Sequence, residues 1–345
     1  MFPEEAVVFG AALPLAWAVD RWWGEPPVRW HPVVWIGHYL NWAAQYVQGG
    51  APLPSVPLSP QPPDGEPGES PQPDYKAFTL GALAWMVGAA VVYIVSSFIE
   101  QAVFSLPLVL AAALMGLLLK PWLAWAMLRS EVEAVEACLH ESLEAGRERL
   151  RWLVSRDTAT LTTSEVRESA MESLAENLND SVVAPIFWFV LFGLPGAAVY
   201  RFANTADAMW GYRGVRHGQN WAWAGKWAAR ADDVLSWVPA RITALLIVAL
   251  GASSGEGQSF KNLRVEARQT PSPNSGWPMA AMALALGIRL GKPGAYTLNA
   301  TGRLPLASDT QKCLEYASKV VATLIFIAVA ATVLIATIGQ PGGYG

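Results

Sequence analysis

Charge is scarce in this chain. Lys, Arg, Asp and Glu make up 15% of its 345 residues, where soluble globular sequences carry about a quarter. Cysteine is nearly absent: Cys138 and Cys313 stand far apart and outside any Cys-x-x-Cys pair, which excludes a disulfide framework or a thiolate zinc site. There is no basic surplus, since 24 Lys and Arg face 28 Asp and Glu for a formal net charge of -4, and nucleic acid as a partner is excluded on that ground. No Gly-x-x-x-x-Gly-Lys-Ser/Thr loop is present, so a nucleotide would not be held by a P-loop. Neither a Gly-x-Ser-x-Gly elbow nor a His-Glu-x-x-His helix occurs, which weakens serine-hydrolase and zinc-protease readings. No internal repeat of useful length appears.

What the chain has is apolar length. Hydrophobic residues reach 53% with 17 tryptophans, mean hydropathy is +0.27, and indole favours the membrane–water interface. The expected fold is all-α: a polytopic integral membrane protein with about four full spans, two re-entrant or buried apolar segments, and cytoplasmic helices. Residues 78–99, 102–119 and 320–338 are long enough to cross. The acidic start Met1-Phe2-Pro3-Glu4-Glu5 is unlike a secretory signal, so residues 6–19 read as a retained first helix. Residues 182–200 are interrupted by Gly193-Leu194-Pro195-Gly196, a turn signal, and Trp237–Ala252 is short. Lys and Arg are absent before the first helix, between the second and third, and after the last, but frequent over residues 201–230. The positive-inside rule places that stretch in the cytoplasm, which favours re-entrant elements over six ordinary spans. The expected organisation is residues 1–48 as first helix and polar loop, 49–75 as a disordered spacer, and 76–345 as a membrane-embedded catalytic domain. Nine prolines between Gly49 and Asp74 carry the spacer reading. Within the catalytic domain, residues 120–181 read as a cytoplasmic helical block, with Val132, Val135, Leu139 and Leu143 forming one amphipathic face.

The chemistry concentrates after that face. Thr162-Thr163-Ser164-Glu165 reads as a capping box. Val166, Ala170, Leu174, Leu178 and Val182 then form an apolar stripe, while Glu168, Glu172, Glu176 and Asp180 climb one face at four-residue spacing. Like charges at that spacing repel, and Arg167 is the only cation within the helix. The ladder is either a solvated acidic face or a site for something positive. Leading into an apolar run favours the site, with magnesium as candidate because it takes hard oxygen ligands shared with phosphate. Polar clusters at other apolar-segment ends point to a shared cavity: Asp20, Glu25 and His31; Asn204, Thr205 and Asp207; and Arg230, Asp232, Asp233 and Arg241. Arginines among acids would suit a phosphate-bearing substrate.

In order and spacing these clusters resemble one family, adenosylcobinamide-phosphate synthase, also called the cobalamin biosynthesis protein CobD/CbiB family. The matching stretches start with Asp20…Gly24-Glu25-Pro26 and His31-Pro32-Val33…Ile36-Gly37, then Arg156-Asp157-Thr158 and Glu172-Ser173-Leu174-Ala175-Glu176-Asn177…Asp180. Asn204-Thr205-Ala206-Asp207…Met209…Gly211-Tyr212, Asp232-Asp233, Pro239-Ala240-Arg241 and Ser272-Pro273-Asn274-Ser275-Gly276-Trp277-Pro278 complete the set. The resemblance implies ATP- and magnesium-dependent ligation of adenosylcobyric acid to (R)-1-amino-2-propanol phosphate, or aminopropanol, giving adenosylcobinamide phosphate. It implies catalytic roles for Glu172, Glu176, Asp180, Asp207, Asp232 and Asp233, the first three also as magnesium ligands. Substrate contacts would come from Asp20, His31, Arg156, Asn177, Asn204, Arg230, Arg241 and Asn274. It also implies a multi-pass protein of a bacterial inner membrane, its site facing the cytoplasm, with cobalamin synthase among its neighbours. The chain departs from the family pattern at Met279, where a glutamate is expected, at Leu298 for glycine, Ala208 for serine and Ser236 for asparagine. Two other readings stay open: a magnesium-dependent intramembrane prenyltransferase, which the polar block 120–181 fits poorly, and a non-catalytic AmpE-like regulator, which need not keep so many costly acids.

Overall fold

Long apolar runs become helices because a helix satisfies its own backbone where water is absent. In the computed structural model, residues 3–48, 73–216, 219–252 and 260–338 are described; the proline-rich spacer expected at 49–75 lies almost wholly outside them. The chain opens with α1 (Pro3–Trp23), α2 (Pro32–Gln48), the long α3 (Tyr75–Phe104) and α4 (Leu108–Leu119). The polar block contributes α5 (Trp125–Glu141), α6 (Leu143–Leu150) and α7 (Thr163–Leu178). After α8 (Ala184–Trp210) a small ribbon, β1 (Val215–Arg216) with β2 (Gln219–Asn220), leads to α9 (Trp221–Ala224), α10 (Lys226–Leu235) and α11 (Trp237–Ala252). Then come α12 (Phe260–Glu266), α13 (Gly276–Leu286), the antiparallel pair β3 (Leu290–Lys292) and β4 (Tyr296–Leu298), and α14 (Ala307–Ile338).

The protein is all-α apart from these two ribbons, and polytopic. Tyr75–Phe104, Leu108–Glu141, Thr163–Trp210 and Ala307–Ile338 are long and apolar enough to cross a membrane. A fifth joins them if Trp221–Leu235 and Trp237–Gly251, bent by 45°, form one span. The first helix forms as expected but is not among these four; it packs on α4 and α14 and carries Glu4, Glu5 and Pro14. Leu83, Val87, Ile94 and Phe98 of α3 point outward, an exposure that lipid rather than water suits.

The continuous run Thr163–Trp210 does not extend straight. A straight helix would put Asp180 and Arg201 about 32 Å apart at ~1.5 Å per residue, yet Arg201 Nη1 lies 3.2 Å from the Asp180 carbonyl and 3.1 Å from Ser181 Oγ. The chain therefore folds back on itself. The reversal sits at Phe192 (φ -134, ψ 17) and Gly193 (φ 67), the second in left-handed backbone that glycine adopts without penalty. Leu194 N–H, freed by the break, donates to Glu100 Oε2 of α3 at 2.6 Å, and Pro195 restarts the helix where a missing N–H does no harm. The arm after the break, 194–210, is 17 residues long, roughly 25 Å, and the arm before it runs back through Asn179–Val183 into α7. The turn signal at Gly193 thus makes a helical hairpin, the break its place in the sequence suggests.

One expectation for the polar block is corrected. Ser142 is extended (φ -162, ψ 161) and its hydroxyl accepts from Ala145 N–H, so it ends α5 and caps α6. The single amphipathic helix through Leu143 is two helices. Glu136 of α5 receives Arg167 (Nη2, 2.7 Å) and Thr310 Oγ1 (2.8 Å), joining α5, α7 and α14.

Candidate functional site

α7 starts with the expected capping box, Thr162 and Glu165 exchanging side-chain and backbone hydrogen bonds. Its apolar stripe is fully used: Val166, Ala170, Leu174 and Leu178 are buried. The acid ladder on the adjoining face is also largely buried, and here the sequence reading needs correction. Glu168 and Glu172 do have basic partners, supplied by segments remote in sequence. Glu168 Oε1 meets Arg289 Nη2 at 2.9 Å and Glu172 Oε2 meets Arg156 Nη2 at 3.1 Å. A buried carboxylate requires such pairing.

The upper ladder opens onto a cavity of about 420 Å³. Glu176 reaches it from the last turn of α7. Asp180 reaches it from a π-helical turn, Asn179–Val183, a widened geometry frequent at functional positions. Asn179 Nδ2 donates to Asp180 Oδ1 at 2.8 Å, and Arg201 holds the Asp180 carbonyl from the returning arm. Asp207 arrives on that arm, one turn before Gly211, where any Cβ would strike the Asp207 carboxylate. Asp232 and Asp233 come from α10, Asp232 accepting from Asn204 Nδ2 at 3.4 Å. Five carboxylates on four elements thus border one space.

Asn274 closes the far wall. Its Nδ2 donates to the Asp233 carbonyl at 2.7 Å, and its Oδ1 accepts from Arg241 Nη1 at 2.6 Å. Arg241 is held between the Trp237 and Trp277 rings, 4.5 and 4.8 Å from their centroids. Arg213 lines the same cavity and gives it a cation. Among the described residues no group of three or more His, Cys, Asp or Glu stands in a metal-holding arrangement.

Other residues singled out in the sequence lie elsewhere. Asp20 and His31 belong to a cluster around the buried Lys120, whose Nζ is 3.1 Å from Asp20 Oδ1 and 2.7 Å from Glu25 Oε2; His31 Nε2 is 3.2 Å from Glu25. Asp20 Oδ2 also accepts from Ala126 N–H at 2.7 Å, tying the end of α1 to the start of α5. Burial alone would raise the Glu25 carboxyl, but hydrogen bonds from His31 and Lys120 with the lysine charge hold it below the usual carboxylate range. Asn177 turns back to Ser173 O at 2.9 Å, and Arg230 is exposed. None of these four lines the acid cavity.

Other participants were not singled out in the sequence as site residues. Arg201 and Arg213 are two of the cations of the basic stretch 201–230. Tyr200 OH and Ser236 Oγ, 3.0 Å apart, form the buried back wall behind Asp180. Tyr296 of β4 stands beside Glu172 and reaches Met279 Sδ at 3.9 Å. Burial, followed by the charges of Glu172 and Glu176, pushes its phenol well above the usual range. Two of the positions that depart from the family pattern, Met279 and Leu298, are therefore buried beside or on the strand that carries Tyr296.

Comparison with known proteins falls on one family. The family model described as CobD/Cbib protein matches residues 13–325. The chain is 36% identical over 324 residues to the probable cobalamin biosynthesis protein CobD of Methanothermobacter thermautotrophicus, covering 93% of this chain and 96% of the relative. It is 36% identical over 315 residues to the probable cobalamin biosynthesis protein CobD of Pyrococcus abyssi, covering 91% and 93%. Over 289 residues it is 37% identical to the cobalamin biosynthesis protein CobD of Chromobacterium violaceum, covering 82% of each. No solved structure matches. A polytopic helical protein whose acids converge at the base of a helical hairpin, matched over nearly its whole length, the chain belongs to the CobD/Cbib protein family.

Proposed function

We propose that the protein works in cobalamin biosynthesis as an adenosylcobinamide-phosphate synthase, joining a carboxylate of adenosylcobyric acid to the amine of aminopropanol phosphate or aminopropanol. The observation that carries this reading is the cavity bordered by Glu176, Asp180, Asp207, Asp232 and Asp233 in a chain whose relatives are named for cobalamin biosynthesis.

Amide formation from a free carboxylate requires activation. ATP would transfer its γ-phosphoryl group to the carboxylate oxygen, with the bond to ADP breaking. The amine lone pair then attacks the acyl carbon, the C–N bond forms and inorganic phosphate leaves. The incoming ammonium must first lose a proton, for which the cavity's carboxylates are the acceptors at hand.

Magnesium suits this donor set. It is ordinarily held by one or two carboxylates plus waters and substrate phosphate rather than by a protein cage, which agrees with acids spread around one space. Glu176 and Asp180 are the residues proposed to hold it, with Asp207, Asp232 and Asp233 adding negative field; Glu172, committed to Arg156, would act from behind. Bound there, it would neutralise charge developing on the nucleotide phosphates. Asn274 and Arg241 fix the opposite wall, and Arg213 would meet a phosphate oxygen.

The cavity lies toward the Tyr75 end of α3, since Phe78 and Trp85 meet Trp227 of α10 edge-on, and this end is flanked by Lys76 and the basic stretch 201–230. By the positive-inside rule the site faces the cytoplasm of a bacterial inner membrane. The decisive experiment is turnover: purified protein with adenosylcobyric acid, ATP, magnesium and aminopropanol phosphate should release ADP and amide product in equal amounts. ATP hydrolysis with no amide, or no reaction in well-folded protein, would remove the ligase assignment.

A further inference from the structure

The acid ladder borders a second cavity. Two turns before Glu176, about 12 Å along α7, Glu168 and Glu165 line a space of about 440 Å³ whose other wall is the β3–β4 hairpin. The lining there is of both signs. Arg289 and Lys292 face the two glutamates, and Tyr296 contributes its ring at the inner end. The first cavity is different, with five carboxylates and one guanidinium.

Between the two cavities the packing is unfinished. Glu172 is 1% exposed, yet its Oε1 has no hydrogen-bond partner, and Nη1 of its neighbour Arg156 is also buried without one. Buried polar atoms are rarely left so unless something else meets them. Tyr296 borders both sides of this seam, lining the hairpin cavity and standing beside Glu172.

A cavity of one sign attracts an ion of the other. One with carboxylates on a helix and cations on a facing hairpin suits a small molecule that itself carries both signs, separated by a few bonds. We propose that the hairpin cavity is the amine-substrate subsite, binding a small zwitterion with its ammonium toward Glu165 and Glu168 and its phosphate toward Arg289 and Lys292. This rests on the ligation reading above, in which an aminoalkyl phosphate is such a molecule. The seam at Glu172 and Arg156 is then where the amine and the activated carboxylate come together. The division explains why the ladder is longer than a magnesium–nucleotide site requires.

The test is binding and kinetics on the full-length protein in detergent or nanodiscs. Titration calorimetry would compare 1-amino-2-propanol phosphate, 1-amino-2-propanol and inorganic phosphate in the wild type and in Lys292→Gln, Arg289→Gln and Glu165→Gln. The wild type should bind the phosphate ester tightest. Lys292→Gln and Arg289→Gln should weaken it about tenfold or more, raising its KM while leaving the KM for ATP unchanged. Because Arg289→Gln also unpairs Glu168, melting temperature is read beside affinity in every variant, and a weakened ester affinity in Lys292→Gln with an unchanged melting temperature is the result that decides. Unchanged affinity in Lys292→Gln, or a raised KM for ATP instead of the amine, would overturn the assignment. Zwitterion binding without turnover in the wild type would sink the ligase reading and leave this subsite standing. Normal turnover with an unaltered amine KM in Lys292→Gln would do the reverse.

Discussion

Leu194 and Glu100 are joined by a 2.6 Å hydrogen bond from backbone N–H to carboxylate, so the tip of the helical hairpin is closed by a side chain from another helix. Glu100→Ala leaves that donor unmet inside the protein and should cost about 1–3 kcal/mol, whereas Glu100→Gln keeps an acceptor and should cost less. Gly193→Ala should be at least as damaging, because Gly193 has φ 67 and an added Cβ would meet the Glu100 carboxylate. Thermal unfolding in one detergent across the three variants decides it; equal stability would mean that the break is held elsewhere.

Glu176→Gln and Asp180→Asn keep shape and remove charge at the acid cavity. Turnover should fall by about a hundredfold or more if those charges act on the reacting phosphates, with melting temperature unchanged or raised because like charges are separated. Near-normal rates with unaltered magnesium dependence would take both residues out of the chemistry.

The Arg156–Glu172 pair should behave as a unit. Arg156→Met strands a carboxylate that is 1% exposed, and breaking such a pair typically costs about 3–5 kcal/mol. Adding Glu172→Gln to Arg156→Met should recover much of that loss, as measured by a double-mutant cycle in chemical denaturation. Additive losses would show that the two side chains act independently.

The Lys120 cluster predicts a direction with pH. Glu25 has a folded pKa below its ordinary value, so its contribution is present above the unfolded carboxylate pKa, near 4.3, and is lost as pH falls through the lower folded value. Stability should therefore drop at acidic pH, and Glu25→Gln should flatten that drop while lowering stability at neutral pH. A wild-type and a Glu25→Gln profile that run parallel from pH 7 to pH 3 would contradict the assignment.

Orientation can be read at Gly214, where a side chain would meet open space. In a background lacking Cys138 and Cys313, a cysteine at Gly214 should be labelled from the cytoplasm and protected from impermeant reagent outside intact cells. Labelling from outside would place the acid cavity on the other face. The companion position for such labelling, Gly257, lies outside the described residues.

Much of this architecture was legible from periodicity. The capping box at Thr162, the stripe from Val166 to Leu178 and the break at Gly193 are local signals, and each produced the local structure expected of it. Asp180, Asp207, Asp232 and Asp233 could be suspected individually because carboxylates are expensive beside apolar runs. Their convergence could not be counted out in residues, since it depends on a chain reversal and on a π-turn that shifts Asp180 off strict four-residue spacing. The pairing of the ladder was hidden for a related reason. Arg156 and Arg289 lie 16 and 121 residues from their acids, and no spacing rule reaches that far. Asp20 and His31 stand apart from the acid cavity, gathered with Glu25 around Lys120.

The clasp on Glu136 has a consequence for how the site can drift. Arg167 follows α7 one residue before Glu168, and its grip on Glu136, shared with Thr310, sets the roll of that helix about its own axis. One residue of slippage turns a helix by about 100°, enough to swing Glu176 off its cavity while the apolar stripe still finds something to pack against. The aim of the acids is thus set by Glu136 and Thr310, which touch neither cavity. Substitutions there should yield protein that folds and inserts but points its carboxylates at the wrong neighbours.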